Sequence, residues 1–145
     1  MTETPYETDF YAWLTEQAQY LRHGSLAKLD SANLAEELED MGREQEHAVR
    51  SQLRRLLLHL LKWHYQPTHQ SQSWIESIDQ AREEVKDRLA MNPRFQPLLR
   101  QWLTEEYPQA RRRASRQTRL RLQAFPPDCE WSLDLVMDDD FPAVP

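Results

Sequence analysis

The chain has very little glycine and almost no cysteine. Only two of its 145 residues are glycine, and Cys129 is its single cysteine. Two glycines are too few for a glycine-rich phosphate loop, and neither such a loop nor a nucleophile elbow is present. One cysteine cannot form an internal disulfide, and a single free thiol suits a reducing compartment. We therefore predict a cytoplasmic protein.

Long apolar runs and strand-like patterns are also missing. The apolar runs are short, and the one at residues 56–58, for example, is followed by His59, whereas a membrane span needs about twenty apolar residues. Residues 1–5 have neither the basic nor the apolar region of a signal peptide. No β-branched run of alternating polarity predicts a strand. The net charge of −6 argues against a general affinity for nucleic acid or anionic lipid, so we expect no membrane partner.

The first half of the chain contains apolar residues at helical spacing. The first predicted helix covers about residues 8–23, with Thr8 as its N-cap and Gly24 in the left-handed conformation at its end. The second begins after Asp30 and runs to about residue 65. Its periodicity passes through Gly42 without a slip, which favours one long helix, straight or bent at Gly42, over two separate helices.

The second half predicts two more helices and a tail. The third helix begins at Ser71 or at Ser73, the latter forming a capping box with Glu76, and ends before Pro93. The fourth begins at Pro93, and Pro108 either kinks it or divides it. Beyond residue 126 we expect one short helical turn near residues 132–137, with Phe141 docked on the bundle.

These four amphipathic segments predict an all-α fold. Their apolar stripes are expected to turn inward and share one interior, as in an antiparallel helical bundle. We predict one helical domain over residues 1–145, with an ordered core at about 6–125 and a tail, 126–145, packed on the bundle. The two longest helices are also long enough to extend past the bundle and pair with another subunit.

Several segments carry a family resemblance. They are YETDFYAWL at 6–14, NLAEEL at 33–38, MGR at 41–43, HLLKW at 59–63 with QP at 66–67, SWI at 73–75, and the FP pairs at 125 and 141. Together they resemble the bacterial domain-of-unknown-function family 29 (DUF29), common in cyanobacteria, over residues 6–142. The resemblance implies an all-helical fold and no established activity, so it transfers no catalytic residues.

The most distinctive of these segments is interpreted as structural. A histidine in an apolar stretch is more often a hydrogen-bonded core residue than a ligand or base, and a lysine there extends its alkyl stem to reach water. The residues interpreted as structural are His59, Leu60, Leu61, Lys62, Trp63, Pro67 and Trp74.

Cys129 is not expected to be a nucleophile. The carboxylates beside it are expected to raise the pKa of its thiol, which disfavours that role.

An arginine-rich segment begins at Arg111. At 100° per residue, Arg112, Arg116 and Arg119 fall within about 60° of one another on a helix and form one stripe, here called the arginine stripe. A phosphate backbone would attract such a stripe. Pairing with carboxylates of the same chain or of another subunit is the favoured alternative. One source of carboxylates is an acidic block on the second helix, Glu36, Glu37, Glu39, Asp40, Glu44 and Glu46, and another is the tail.

A metal site is the weakest candidate. Glu44 and His47 stand three residues apart, which is half of the paired motif that holds two metal ions in some helical bundles. No second copy of the motif is present, so we predict no metal and no other cofactor.

The sequence therefore favours a protein-interaction or self-assembly module over an enzyme. The expected partner is a protein, possibly a second copy, with the acidic block (Glu36, Glu37 and Glu44 above all) meeting the arginine stripe. A nucleic-acid-binding protein is the first alternative, and a metal-dependent bundle enzyme the second.

Overall fold

A computed structural model describes residues 6–144. This part of the chain contains no β-strand. Its α-helices are α1 (Phe10–Arg22), α2 (Ser31–Tyr65), α3 (Gln72–Met91), α4 (Leu99–Thr118) and the short α5 (Leu133–Val136). Short 3-10 segments lie at Leu26–Lys28, Pro67–His69, Pro93–Leu98 and Leu122–Ala124. The predicted all-α, bundle-like class, with four main helices and a short C-terminal helical tail, is confirmed.

The chain divides into two compact units, unit 1 (residues 1–44) and unit 2 (residues 45–145). Unit 1 contains α1 and the beginning of α2. Trp13 and Gln17 are the buried residues of α1. The indole Nε1 of Trp13 donates to Oδ2 of Asp30 at 3.1 Å, and the backbone N–H of Asp30 donates to Oε1 of Gln17 at 2.8 Å. These two bonds connect α1 to the residue that precedes α2.

Unit 2 has a larger apolar core, built from the rest of α2, α3, α4 and the tail. Phe125, which directly precedes the tail, and Val136 within the tail are fully buried in this core, and Trp131 and Phe141 pack against it. The rings of Trp131 and Phe141 also meet edge-to-face, with their centroids 5.7 Å apart. The tail therefore contributes side chains to the interior of unit 2. The prediction of one domain over the whole chain stays a prediction.

Two helix starts differ from those expected. The cap of α1 is Asp9 rather than Thr8, because the Asp9 carboxylate reaches the backbone N–H of Ala12 at 3.1 Å. The fourth helix begins at Leu99 rather than Pro93. Pro93 and Pro97 have no N–H to donate, and the segment that contains them adopts a 3-10 conformation instead. Of the two serines left open for α3, Ser71 is the cap, and its Oγ accepts from Trp74 N–H at 3.3 Å.

The helix interruptions are fewer than the sequence allowed. Gly24, which follows the end of α1, has a φ of 70°, the left-handed conformation expected for a glycine at this position. α2 continues through Gly42 and α4 continues through Pro108, so neither residue divides its helix.

One expectation about packing is wrong. The apolar stripes of α1 and of the first part of α2 do not turn fully inward, because Leu14, Leu21, Leu38 and Met41 are exposed. Periodicity identifies which side chains share a face of a helix, but another part of the molecule must cover that face. The buried part of α2 begins at Val49, inside unit 2.

Candidate functional site

The arginine stripe lies at the C-terminal end of α4. Arg112 and Arg116 are on its last turns, and Arg119 is its C-cap, with φ 63° and ψ 13° in the left-handed region. All three side chains are exposed. Within the described part of unit 2, none of them forms a hydrogen bond or an ion pair. The stripe therefore has no partner within the described part of unit 2.

Several other arginines of unit 2 are engaged in its structure. Arg50 on α2 pairs with Glu105 on α4 at 2.7 Å, and Arg54 pairs with the buried Glu106 at 3.2 Å. Arg111, directly before the stripe, donates its Nε and Nη2 to the carbonyl oxygen of Phe125 at 3.2 and 3.0 Å. The stripe differs from these neighbours, because its guanidinium groups stabilise no contact within the described part of unit 2.

The acidic block occupies successive turns of α2. Glu36 and Glu44 are exposed, and Glu37 is half-buried. Glu37 accepts a hydrogen bond from the Tyr6 hydroxyl, and this bond raises the pKa of Tyr6 to about 12. Arg43 forms an ion pair with Asp40 on the same helix. Arg43 also pairs with Glu39, and Arg50 pairs with Glu46. Glu36 and Glu44 remain as exposed carboxylates of the block.

Glu44 and His47, the metal candidates, both lie on α2 with exposed side chains. The Nε2 atom of His47 is 3.2 Å from Oγ of Ser51. Across residues 6–144, no group of three or more His, Cys, Asp or Glu side chains is placed to hold a metal ion.

The family-signature residues lie at the end of α2 and in the segments that follow it. Leu60, Leu61 and Trp63 are buried in the core of unit 2, and Pro67 opens the 3-10 segment after α2. Lys62 donates to Oε1 of Gln117 at 3.0 Å, and its Nζ lies 4.9 Å from the centroid of the Trp74 ring. This lysine therefore links α2 to both α3 and α4.

His59 differs from the hydrogen-bonded core histidine that the sequence predicted. Its Nδ1 is buried and has no hydrogen-bond partner among the described residues. Burial, together with the positive charges of Lys62 and Arg55, lowers the pKa of His59 to about 4. The imidazole ring is therefore neutral at pH 7, and the charged side chains near it are those of Lys62 and Arg55.

Arg82 is a buried residue that sequence reasoning missed. It is 1% exposed, donates its Nε to the carbonyl oxygen of Val136 at 3.1 Å, and donates its Nη2 to the carbonyl oxygen of Phe141 at 2.5 Å. A signal for it exists in the sequence, because Arg82 stands four residues after Ile78 and three before Val85, on the apolar stripe of α3. A charged residue at such a position predicts a buried polar contact.

Cys129 and Tyr107 lie near each other in unit 2. Burial raises the pKa of the Cys129 thiol, and Glu130 raises it further. The predicted direction is therefore correct, although burial is the larger cause. Burial also raises the pKa of Tyr107, whose hydroxyl donates to the carbonyl oxygen of Pro126 at 2.7 Å. Neither group is activated as a nucleophile at neutral pH.

A polar groove of about 550 Å³ separates α2 from α3. Small-molecule sites are mostly lined by apolar and aromatic side chains, and this groove has none. Its lining residues are Gln52, Arg55, Gln80, Glu83, Glu84 and Asp87.

Comparison with protein families gives a decisive match. The family model described as "Domain of unknown function DUF29" matches residues 5–142, nearly the whole chain. The chain belongs to this family. The resemblance to DUF29 that the sequence segments carried is thus confirmed. Comparison with curated proteins and with solved structures gives no match. No described helix of this DUF29 chain is long and apolar enough to cross a membrane.

Proposed function

We propose that the chain is a non-catalytic, self-assembling interaction module of the bacterial cytoplasm. In the assembly, the arginine stripe of one copy contacts the acidic block of another. The observation that carries this proposal is that Arg112, Arg116 and Arg119 are exposed and unpaired in the described part of unit 2. The neighbouring Arg111, in contrast, donates two hydrogen bonds to the carbonyl oxygen of Phe125.

The backbone at Arg119 supports the proposal. A residue with a side chain loses about 1 kcal/mol or more in the left-handed conformation, and glycine is the usual residue at such a helix end. Stability alone would therefore favour glycine at this position. An arginine there is consistent with a contact made by its side chain.

The opposite charges of the two surfaces predict how the assembly responds to salt. Exposed ion pairs weaken as the Debye length falls from about 14 Å at ~50 mM salt to about 4 Å at ~500 mM salt. The self-association is therefore salt-sensitive.

Light scattering at ~50 and ~500 mM salt tests the proposal. The chain should be an oligomer at low salt and dissociate at high salt. Reversing the stripe charges with Arg112→Glu, Arg116→Glu and Arg119→Glu should give a monomer at both salt concentrations. The matched control reverses two exposed arginines elsewhere in unit 2, Arg94→Glu and Arg100→Glu, and should leave the oligomer intact.

A charge swap identifies the partner surface. The triple variant Glu36→Arg, Glu37→Arg and Glu44→Arg should also be monomeric by itself. Mixing it with the stripe-reversed variant should restore association, because each then offers the charge that the other lacks. A monomer at both salt concentrations for the unchanged chain would reject the proposal.

Nucleic-acid binding is the second candidate, favoured by the same unpaired stripe. Its affinity would fall steeply with salt because phosphate contacts release counterions. The net charge of −6 opposes it. Gel-shift titration at low salt decides the matter, and the absence of a shift at micromolar protein removes this candidate.

A further inference from the structure

The acidic part of α2 also has an uncovered apolar strip. Leu38 is 65% exposed and Met41 is 61% exposed. Ala35 and Gly42 are exposed on the same face, since at 100° per residue all four fall within about 120°. We call these four residues the α2 strip.

Gly42 has no role that the chain itself explains. It lies inside α2 and its φ is not positive. A Cβ built at this position would meet nothing within 4 Å. A glycine inside a helix weakens that helix by about 1 kcal/mol relative to alanine. Glycine is the expected residue where another backbone approaches closely.

Carboxylates border the strip on both sides. By the helical repeat, Glu37 and Glu44 follow one edge, and Glu39 lies on the other. Two copies of α2 packed face to face would therefore bring like charges together, which disfavours that pairing. A helix with basic side chains and long alkyl stems suits the strip better.

We infer that the α2 strip is the seat for the arginine-bearing end of α4 from a second copy, with Gly42 at the closest approach of the two helices. The alkyl stems of Arg112, Arg116 and Arg119 cover Leu38 and Met41, and their guanidinium groups reach the flanking carboxylates. This inference rests on the proposed function, because it specifies how the acidic block holds its partner. The contact is thus a close helix crossing with an apolar centre.

Gly42→Ala is the sharpest test, because the inference predicts opposite effects on folding and on assembly. In the dissociated chain at high salt, the added methyl group meets empty space and favours helix, so the urea midpoint of unfolding should rise. In the assembly the methyl group lies between two backbones. The dissociation constant measured by sedimentation at low salt should therefore increase by about tenfold.

Met41→Ala tests the apolar centre and has a matched control. Met91 is 71% exposed at the end of α3, outside the strip. Met41→Ala should raise the dissociation constant by about fivefold, because the buried part of one side chain is lost. Met91→Ala should leave the dissociation constant unchanged.

The outcomes separate this inference from the proposed function. If the stripe-reversed variant is monomeric but Gly42→Ala associates as tightly as the unchanged chain or more tightly, the seat is wrong and the charge contact stands. Equal effects of Met41→Ala and Met91→Ala would also overturn the seat. If the unchanged chain is monomeric at every concentration, both proposals fail.

Discussion

Arg82 on α3 donates its guanidinium Nε to the carbonyl oxygen of Val136, 54 positions later in the sequence, at 3.1 Å. Its Nη2 donates to the carbonyl oxygen of Phe141. Both carbonyl groups belong to the tail, so one side chain holds the tail at two points. Hydrogen bonds from a charged donor are stronger than neutral ones, and a planar guanidinium can direct two of them at once.

Arg82→Ala should therefore destabilise the chain by about 3 kcal/mol, because two carbonyl groups lose their donor and a cavity remains. Urea denaturation measures the loss. Limited proteolysis should cut the tail faster in the variant. Arg94→Ala removes an exposed arginine and serves as the control, with a change of less than about 0.5 kcal/mol. A loss below about 1 kcal/mol for Arg82→Ala would contradict this assignment.

His59 predicts a pH dependence of stability. Its pKa is about 4 in the folded chain, below the ordinary value of 6.5. Between these two pH values the unfolded chain binds the proton more readily than the folded chain. The contribution of His59 to the free energy of unfolding is therefore fully present above pH 6.5 and is lost as the pH falls towards 4. Because the ring is only partly buried, solvent screening reduces the expected loss to about 2 kcal/mol.

His59→Leu removes this titrating group. Urea midpoints measured from pH 7.5 to 4.5 should decline less steeply for the variant than for the unchanged chain. His47→Leu is the control, since His47 lies on the same helix with an exposed side chain. Parallel pH profiles for His59→Leu and the unchanged chain would show that the buried Nδ1 does not carry the effect.

The left-handed backbone at Arg119 predicts a gain in stability from glycine. Arg119→Gly should stabilise the chain by about 0.5–1 kcal/mol, because glycine adopts a positive φ without steric cost. Arg116→Gly, inside α4, should instead destabilise it by about 1 kcal/mol. Thermal unfolding at high salt compares the two. Stabilities that shift in the same direction would contradict the assignment of strain to Arg119.

The helices of this chain were largely predictable because their apolar residues keep the α-helical repeat. The repeat through Gly42 indicated one uninterrupted α2, and Gly24 indicated the end of α1. The start of α4 was less predictable. Proline is a common first residue of a helix, which favoured a start at Pro93, but a second proline, Pro97, lies four positions further on. Their combined loss of N–H donors produces a 3-10 segment that periodicity does not reveal.

For the surfaces, the spacing of residues along each helix was predictable from the sequence, but their pairing and exposure were not. Spacing predicts a stripe of Arg112, Arg116 and Arg119, but whether carboxylates pair with these arginines within the described part of unit 2 depends on long-range packing. The exposure of Leu38 and Met41 was unpredictable for the same reason. Their spacing matches that of the buried Leu53 and Leu56, so the sequence pattern alone does not distinguish the exposed pair from the buried pair. Arg82 was missed because its acceptors are backbone carbonyl groups, which leave no trace in residue identity.

The burial of Phe125 and Val136 has a consequence for synthesis. Translation produces α2, α3 and α4 before it reaches these two residues, so the apolar side chains that they cover are not yet fully buried while the chain is growing. Synthesis of the tail is therefore the step that completes the burial of the apolar core of unit 2.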